Sequence, residues 1–294
     1  MSWVSRMLNR GSEAEAGDAT ALEQPSQNGS AQAPTRVVQR ETKAATSTTS
    51  RTGTRKAPLS SPFAEIDTSN PTPQEAATYD ARDSYWDKIG VSDADLISYA
   101  VNPQFLGAPA WPNTRQAYRL VRTGDSLIIA SDGLCDPFPE SMGKGENNGL
   151  GMEVFIEIPG WQERTLEQVH NSWAFSAVEL FAQNTAGAGG FLSQIEKHGV
   201  MSMELPLERA PKGWVAQSGN VGALIDVPVA PGLNLIHELP GGEPARLVPL
   251  TLIQPRELTA CVKGGAKERR ALAQDLVAAG NGHRTVIKRA CLRN

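Results

Sequence analysis

The run from Leu127 to Ile158 constrains this chain most: LIIASDGLCDPF, a glycine-rich connection, then GLGMEVFIEI. Its two apolar segments, Ser126–Ser131 and Met152–Ile158, are β-branched and continuous. That is the pattern of strands buried on both faces of a sheet. The connection holds Asp132-Gly133, Asp136-Pro137 and glycines at 143, 145, 149 and 151. A minimal hairpin needs far less turn chemistry, so the sequence predicts a shaped surface at one end of the sheet.

The first 70 of the 294 residues are rich in Ser, Thr, Ala, Gln, Gly and Pro and nearly empty of apolar runs. Such a segment buries too little surface to offset chain entropy, so residues 1–70 read as a disordered tail. Residues 71–294 carry most of the aromatic and branched side chains and read as one domain. Trp3, Val4, Met7 and Leu8 share a face of a short helical pattern, but isolated helices of that length are marginal in water.

Charge narrows the function classes. Residues 1–70 hold 8 Lys/Arg against 7 Asp/Glu, and residues 71–294 hold 20 against 25. A mildly acidic domain lacks the concentrated positive charge that phosphate contacts require, so no nucleic-acid partner is expected. No apolar run approaches the ~20 residues needed to cross a bilayer, and MSWVSRMLNR lacks a signal-peptide core. Three separated cysteines with no CxxC pattern read as reduced structural thiols, which points to the cytoplasm.

The expected elements are a helix over residues 93–101 capped by Ser92, and a hairpin of Ala117–Arg122 with Ser126–Ser131. Thr165 caps the longest helix, LEQVHNSWAFSAVELFAQ, followed by a helix Phe191–His198. Strands are expected at Val200–Leu205, Val221–Val227, Leu247–Ile253 and Thr285–Arg289, with helices Pro255–Val262 and Lys267–Ala279. These cluster rather than alternate. The fold class is therefore α+β, a mixed and mainly antiparallel sheet packed with helices behind the tail.

Catalytic patterns are incomplete. Gly124-Asp125-Ser126-Leu127 spells the signature of the GDSL hydrolases, but Ser126 leads into a strand and no Asp-x-x-His follows to supply a base. His170, His198, His237 and His283 are solitary, so no metal site is predicted. GKGENNGLG feeds a strand rather than a helix, and Gly187-Ala188-Gly189-Gly190 follows a helix. Neither is a phosphate or dinucleotide cradle, and no cofactor is expected. Asp132 and Asp136 read as turn residues bonded to nearby backbone amides. With Phe138 between Pro137 and Pro139 as an aromatic anchor, Asp136, Phe138 and Glu140 are the candidate contacts for a protein partner.

Three segments carry a family resemblance. DLISYAVNPQFLGAPAWPNTRQAYRLVR, LIIASDGLCDPF and GLGMEVFIEI, from Asp95 to Ile158, resemble the Suppressor of Fused domain as it occurs in bacterial proteins. The order of helices and strands extends the likeness to about Arg289, giving a Suppressor of Fused-like domain over residues 71–294. The family's Gly-Leu-Ser-Asp appears as Gly133-Leu134-Cys135-Asp136, with Cys135 in place of serine. Its Gly-Phe-Gly-Phe-Glu appears as Gly149-Leu150-Gly151-Met152-Glu153. The resemblance implies a mixed α+β fold, no enzymatic chemistry and a protein partner. Animal members clamp an extended peptide against sheet edges. Bacterial members are inferred to be immunity proteins that neutralise polymorphic toxins. The large C-terminal lobe of the animal proteins has no counterpart here, which leaves a two-lobed clamp unsupported. The alternatives are an adaptor or secretion-associated protein that works through its tail and, more remotely, a hydrolase at Ser126.

Overall fold

A computed structural model describes residues 35–38, 71–138, 148–229, 233–240 and 242–294. Its centre is a ten-stranded sheet in the order β1-β3-β4-β5-β6-β10-β8-β7, with β2 beside β4 and β9 beside β10. The strands are β1 (Thr35–Val38), β2 (Val91–Ser92), β3 (Leu96–Tyr99), β4 (Ala117–Arg122) and β5 (Ser126–Asp132). They continue with β6 (Met152–Pro159), β7 (Met201–Leu205), β8 (Val221–Ile225), β9 (Leu235–Ile236) and β10 (Ala245–Ile253). Every strand pairing is antiparallel except that of β6 with β10. The protein is α+β with a mixed, mainly antiparallel sheet.

The continuous apolar runs of β4, β5 and β6 follow from coverage on both faces. Leu120, Leu127, Ile129, Val154 and Ile156 face α3 (Trp173–Gly187), packing with Phe175, Val178 and Phe181. Val121, Ile128, Ala130 and Phe155 face the other way, onto Tyr85 and Trp86 of α1 (Pro73–Ile89). α5 (Pro255–Ala278), kinked where Gly265 takes φ 60°, covers β8 and the end of β10 through Leu258, Cys261, Leu272 and Leu276. The remaining helices are α2 (Leu166–His170) and α4 (Leu192–His198).

β10 changes partners along its length. Arg246–Pro249 pairs with β6, and Leu250–Ile253 pairs with β8. Pro249 stands at the exchange, where its missing N–H removes one ladder donor.

Three expectations are corrected, and one element was not expected. Residues 93–101 hold no α-helix but β3, and a 3-10 turn follows at Pro103–Leu106. Asp93 is the reason: its N–H bonds the Leu120 carbonyl and its carboxylate pairs with Arg122 at 2.6 Å, which draws the chain alongside β4. Next, the helix after Thr165 stops at His170. Ser172 then caps a new one by accepting from the Phe175 N–H. Thirdly, Thr285–Arg289 is not a strand, although the Thr285 N–H reaches the Glu157 carbonyl and its hydroxyl accepts from Leu252.

The unexpected element is α1, which the periodicity did not suggest. Its buried stripe is Thr78, Arg82, Tyr85 and Trp86, so two polar residues interrupt the apolar signal. The Thr72/Glu75 capping box with Pro73 in the first turn was the legible trace. Within residues 1–70 the structure describes Thr35–Val38, which pairs with β3 as a strand; the expected disordered tail otherwise lies outside the described residues.

Candidate functional site

The connection after β5 is anchored by a buried ionic cluster. Arg82 projects from α1 beneath the loop and is fully buried. Its guanidinium meets Asp132 at 2.7 Å, Asp136 at 2.6 Å and Glu153 at 3.3 Å. Arg115 and Arg119 close on Asp132 from the other side at 2.7 and 2.8 Å, and Arg119 also holds Asp83 at 2.6 Å. Tyr79, one turn before Arg82, lies under the Arg115 guanidinium with 4.4 Å to its ring centroid.

Glu153 ties the two halves of the loop together. One of its oxygens accepts the Gly133 and Cys135 N–H groups, each at 3.0 Å; the other accepts the Ser131 hydroxyl. The Leu150 N–H bonds the Leu134 carbonyl at 2.8 Å. The Gly133–Asp136 and Gly149–Glu153 blocks are thus two sides of one latch, with Trp111 packed over Gly133.

The protonation states follow from this packing. Burial alone would raise the Asp132 carboxyl, but Arg115, Arg119 and Arg82 outweigh it and hold Asp132 well below the usual carboxylate range. Asp136 goes the other way. Burial raises it, with Asp132 and Glu153 adding to the effect, against the pull of Arg82 and Arg115. For Arg82, burial disfavours the charge, yet Asp132 and Asp136 hold it firmly protonated. The Cys135 thiol is raised by burial and by Glu153, so it is an inert structural thiol.

Gly149 shows how tight the latch is. Its φ is 55°, and a Cβ there would stand 2.3 Å from the Asp136 carbonyl oxygen and 2.7 Å from that of Leu134. Gly149→Ala therefore adds a backbone clash to a left-handed strain of about 1–2 kcal/mol. A loss of thermal stability clearly exceeding that of Gly151→Ala is expected, since a Cβ at 151 meets Leu192 at 3.2 Å. Equal melting temperatures would contradict the rigid latch.

The structure separates the three candidate contacts. Asp136 is fully buried and bonded inward, and Asp132 is an ion-cluster member rather than a local turn residue. Phe138 is half-buried where the described loop ends, and Glu140 lies outside the described residues. Sequence reasoning missed Arg82, Arg115, Arg119 and Glu153. Apart from Glu153's place in the Gly149–Glu153 block, no local spacing links them, because they converge from α1, the segment leading into β4, β4 itself and β6.

Ser126 of the hydrolase-like tetrapeptide is fully buried. Its hydroxyl donates to Glu157 at 2.6 Å, and Glu157 in turn bonds His283 Nε2 at 2.7 Å. The carboxylate stands between serine and histidine, an order that gives the serine no imidazole base. Burial would raise Glu157, but the hydrogen bonds from His283 and Ser126 hold it below its ordinary value, making it a weaker base. This trio instead joins β5 and β6 to the C-terminal segment. Among the described residues no group of three or more His, Cys, Asp and Glu is arranged to hold a metal ion, and no helix is long and apolar enough to cross a membrane.

Comparison with known proteins adds one finding. No protein-family model matches the sequence, and no curated protein matches it. Among solved structures, a chain of the Sufu–Fu complex aligns with 75% of this chain and 92% of its own length, at 14% identity and a TM-score of 0.46. The fold is similar to that of Suppressor of Fused. Drosophila Suppressor of Fused aligns with the same 75% share at 12% identity and a TM-score of 0.43, with 51% of its own length covered.

Proposed function

We propose that this protein is a non-enzymatic protein-binding domain whose contact surface is the loop after β5, and that it acts as an immunity protein occluding a bacterial toxin domain in the cytoplasm. The observation that carries this reading is where the charged groups go. Asp132, Asp136 and Glu153 are committed to Arg82, Arg115 and Arg119, and together they fix the loop's base rather than face a substrate. A contact residue carried on so firmly fixed a base loses little further entropy on binding. Phe138 leaves the latch two residues after Asp136 and is the aromatic anchor. Asp136 acts as its support, and Glu140 is the acidic contact beyond it. The mechanism is steric, so no group has to titrate or react.

Affinity capture followed by reconstitution with the purified partner tests this. Phe138→Ala is expected to weaken the complex by at least about 2 kcal/mol, roughly thirtyfold, at unchanged melting temperature. Unchanged affinity would remove the loop from the interface. A captured partner that does not arrest growth when expressed alone would remove the immunity role. The adaptor reading is favoured by one observation, the strand Thr35–Val38 contributed by residues 1–70. Deleting those residues abolishes binding if the adaptor reading holds and leaves a neutralising domain competent.

A further inference from the structure

The charges of α5 divide into two groups. Its three acids are all taken by the C-terminal segment, Glu257 by Arg289 and both Glu268 and Asp275 by Arg293. Its five cations, Arg256, Lys263, Lys267, Arg269 and Arg270, meet no carboxylate among the described residues. One helix thus leaves five of the 20 Lys/Arg of residues 71–294 without an acid, in a domain that holds 25 Asp/Glu. Arg269 is the most informative of them. It is half-buried, and its Nε donates to the Val200 carbonyl at 3.1 Å, which fixes the plane of the guanidinium. Its two terminal nitrogens have no partner among the described residues. Burial lowers its pKa, and the charge of Arg270 beside it adds to the effect. Cys261, whose thiolate would oppose this, is pushed up to about 12 and stays a neutral thiol. A carboxylate pairing with the free fork of Arg269 would offset that desolvation.

Lys267, Arg270, Gln274 and Val277 continue as an exposed ridge at three- and four-residue spacing. Val277 is 47% exposed. It stands about 10 Å from Arg270 along the axis, at ~1.5 Å per residue. We infer that this ridge is a docking surface for an acidic segment of a protein partner, whose carboxylates take Lys267, Arg269 and Arg270 and whose apolar side chain covers Val277. About three residues of extended chain span the 10 Å separation, so the apolar residue stands roughly three positions from the carboxylates. A nucleic acid fits less well. Gln274 and Val277 offer no cation for further phosphates, and the acidic remainder of the domain repels a long polyanion. The ridge shares no residue with the loop after β5, although its role rests on the reading of the protein as a binding domain.

The full-length protein is titrated with a fluorescein-labelled peptide, Glu-Glu-Glu-Ser-Ser-Leu, and with Lys-Lys-Lys-Ser-Ser-Leu, followed by fluorescence anisotropy. The acidic peptide should bind and the basic one should not; binding of both, or of neither, overturns the site. Lys267→Glu/Arg270→Glu should weaken the acidic peptide at least about tenfold at unchanged melting temperature. Lys88→Glu/Lys212→Glu reverses two exposed charges elsewhere and should leave affinity within about twofold. Equal losses in the two variants would mean diffuse attraction and overturn the ridge. Arg269→Lys keeps the charge but removes the fork, so a loss of at least about threefold is expected, and none would overturn the carboxylate contact. Phe138→Ala should not alter peptide binding, so failure of this surface and failure of the loop after β5 are separate results.

Discussion

Replacing Arg82 by Met is expected to destabilise the domain by about 3–5 kcal/mol. The substitution keeps most of the side chain's length but removes the cation that faces Asp132, Asp136 and Glu153 at 2.7, 2.6 and 3.3 Å. Breaking a fully buried ion pair from one side costs about 3–5 kcal/mol, because the abandoned charge stays desolvated. Total stability for a domain is only about 5–15 kcal/mol. For a chain of this size the loss corresponds to a fall of roughly 10 °C in melting temperature. Arg82→Met/Asp136→Asn should recover part of it, since one orphaned charge is removed along with its partner. A coupling energy above about 0.5 kcal/mol in that double-mutant cycle is the signature of direct contact. A single variant that melts within a degree or two of wild type would show that the cluster does not hold the loop.

The second large effect distinguishes two aspartates four residues apart. Asp132→Asn is expected to cost about 3–5 kcal/mol, since it strips the shared anion from three arginines. Asp136→Asn is expected to cost at most about 1 kcal/mol, because burial already disfavours its charge and Arg82 keeps two other acid partners. Their pH dependences differ in sign. The Asp132 carboxyl lies below its ordinary value when folded, so its contribution is complete above about pH 4 and is lost as pH falls through the folded value. Glu157 and Glu257, also held low, act in the same direction. Asp136 is raised, so its contribution is complete below about pH 4 and is lost as pH rises through its folded value. Denaturant titrations between pH 3 and 7 should show a flatter acid limb for Asp132→Asn. The Asp136→Asn variant should gain on wild type as pH rises through the folded Asp136 value. Parallel curves for both variants would refute the assignment.

Much of the central sheet was legible because its signal is local. Ala117–Arg122, Ser126–Ser131 and Met152–Ile158 are runs of β-branched and apolar residues bounded by turn chemistry, and each forms the expected strand. Glycine spacing likewise marked the connection between β5 and β6 as a built feature. Residues 92–101 misled because Ser92, Asp93 and Asp95 imitate a helix start; the Asp93–Arg122 pair and the burial of Ile97 override that local preference. Asp132 and Asp136 read as turn residues because the cation they share, Arg82, lies 50 and 54 residues away on α1, with no periodicity to connect them.

The sequence by itself determined the fold class and the place of the shaped loop, since both follow from neighbours along the chain. Only the tertiary structure decided what the loop's charges do. Whether a buried carboxylate reaches outward or is held inside depends on which cation the fold carries to it, and Arg82 arrives from a helix whose own pattern hides it. The same holds for β1: a short β-branched segment in a polar stretch gains a ladder only when a sheet edge stands beside it.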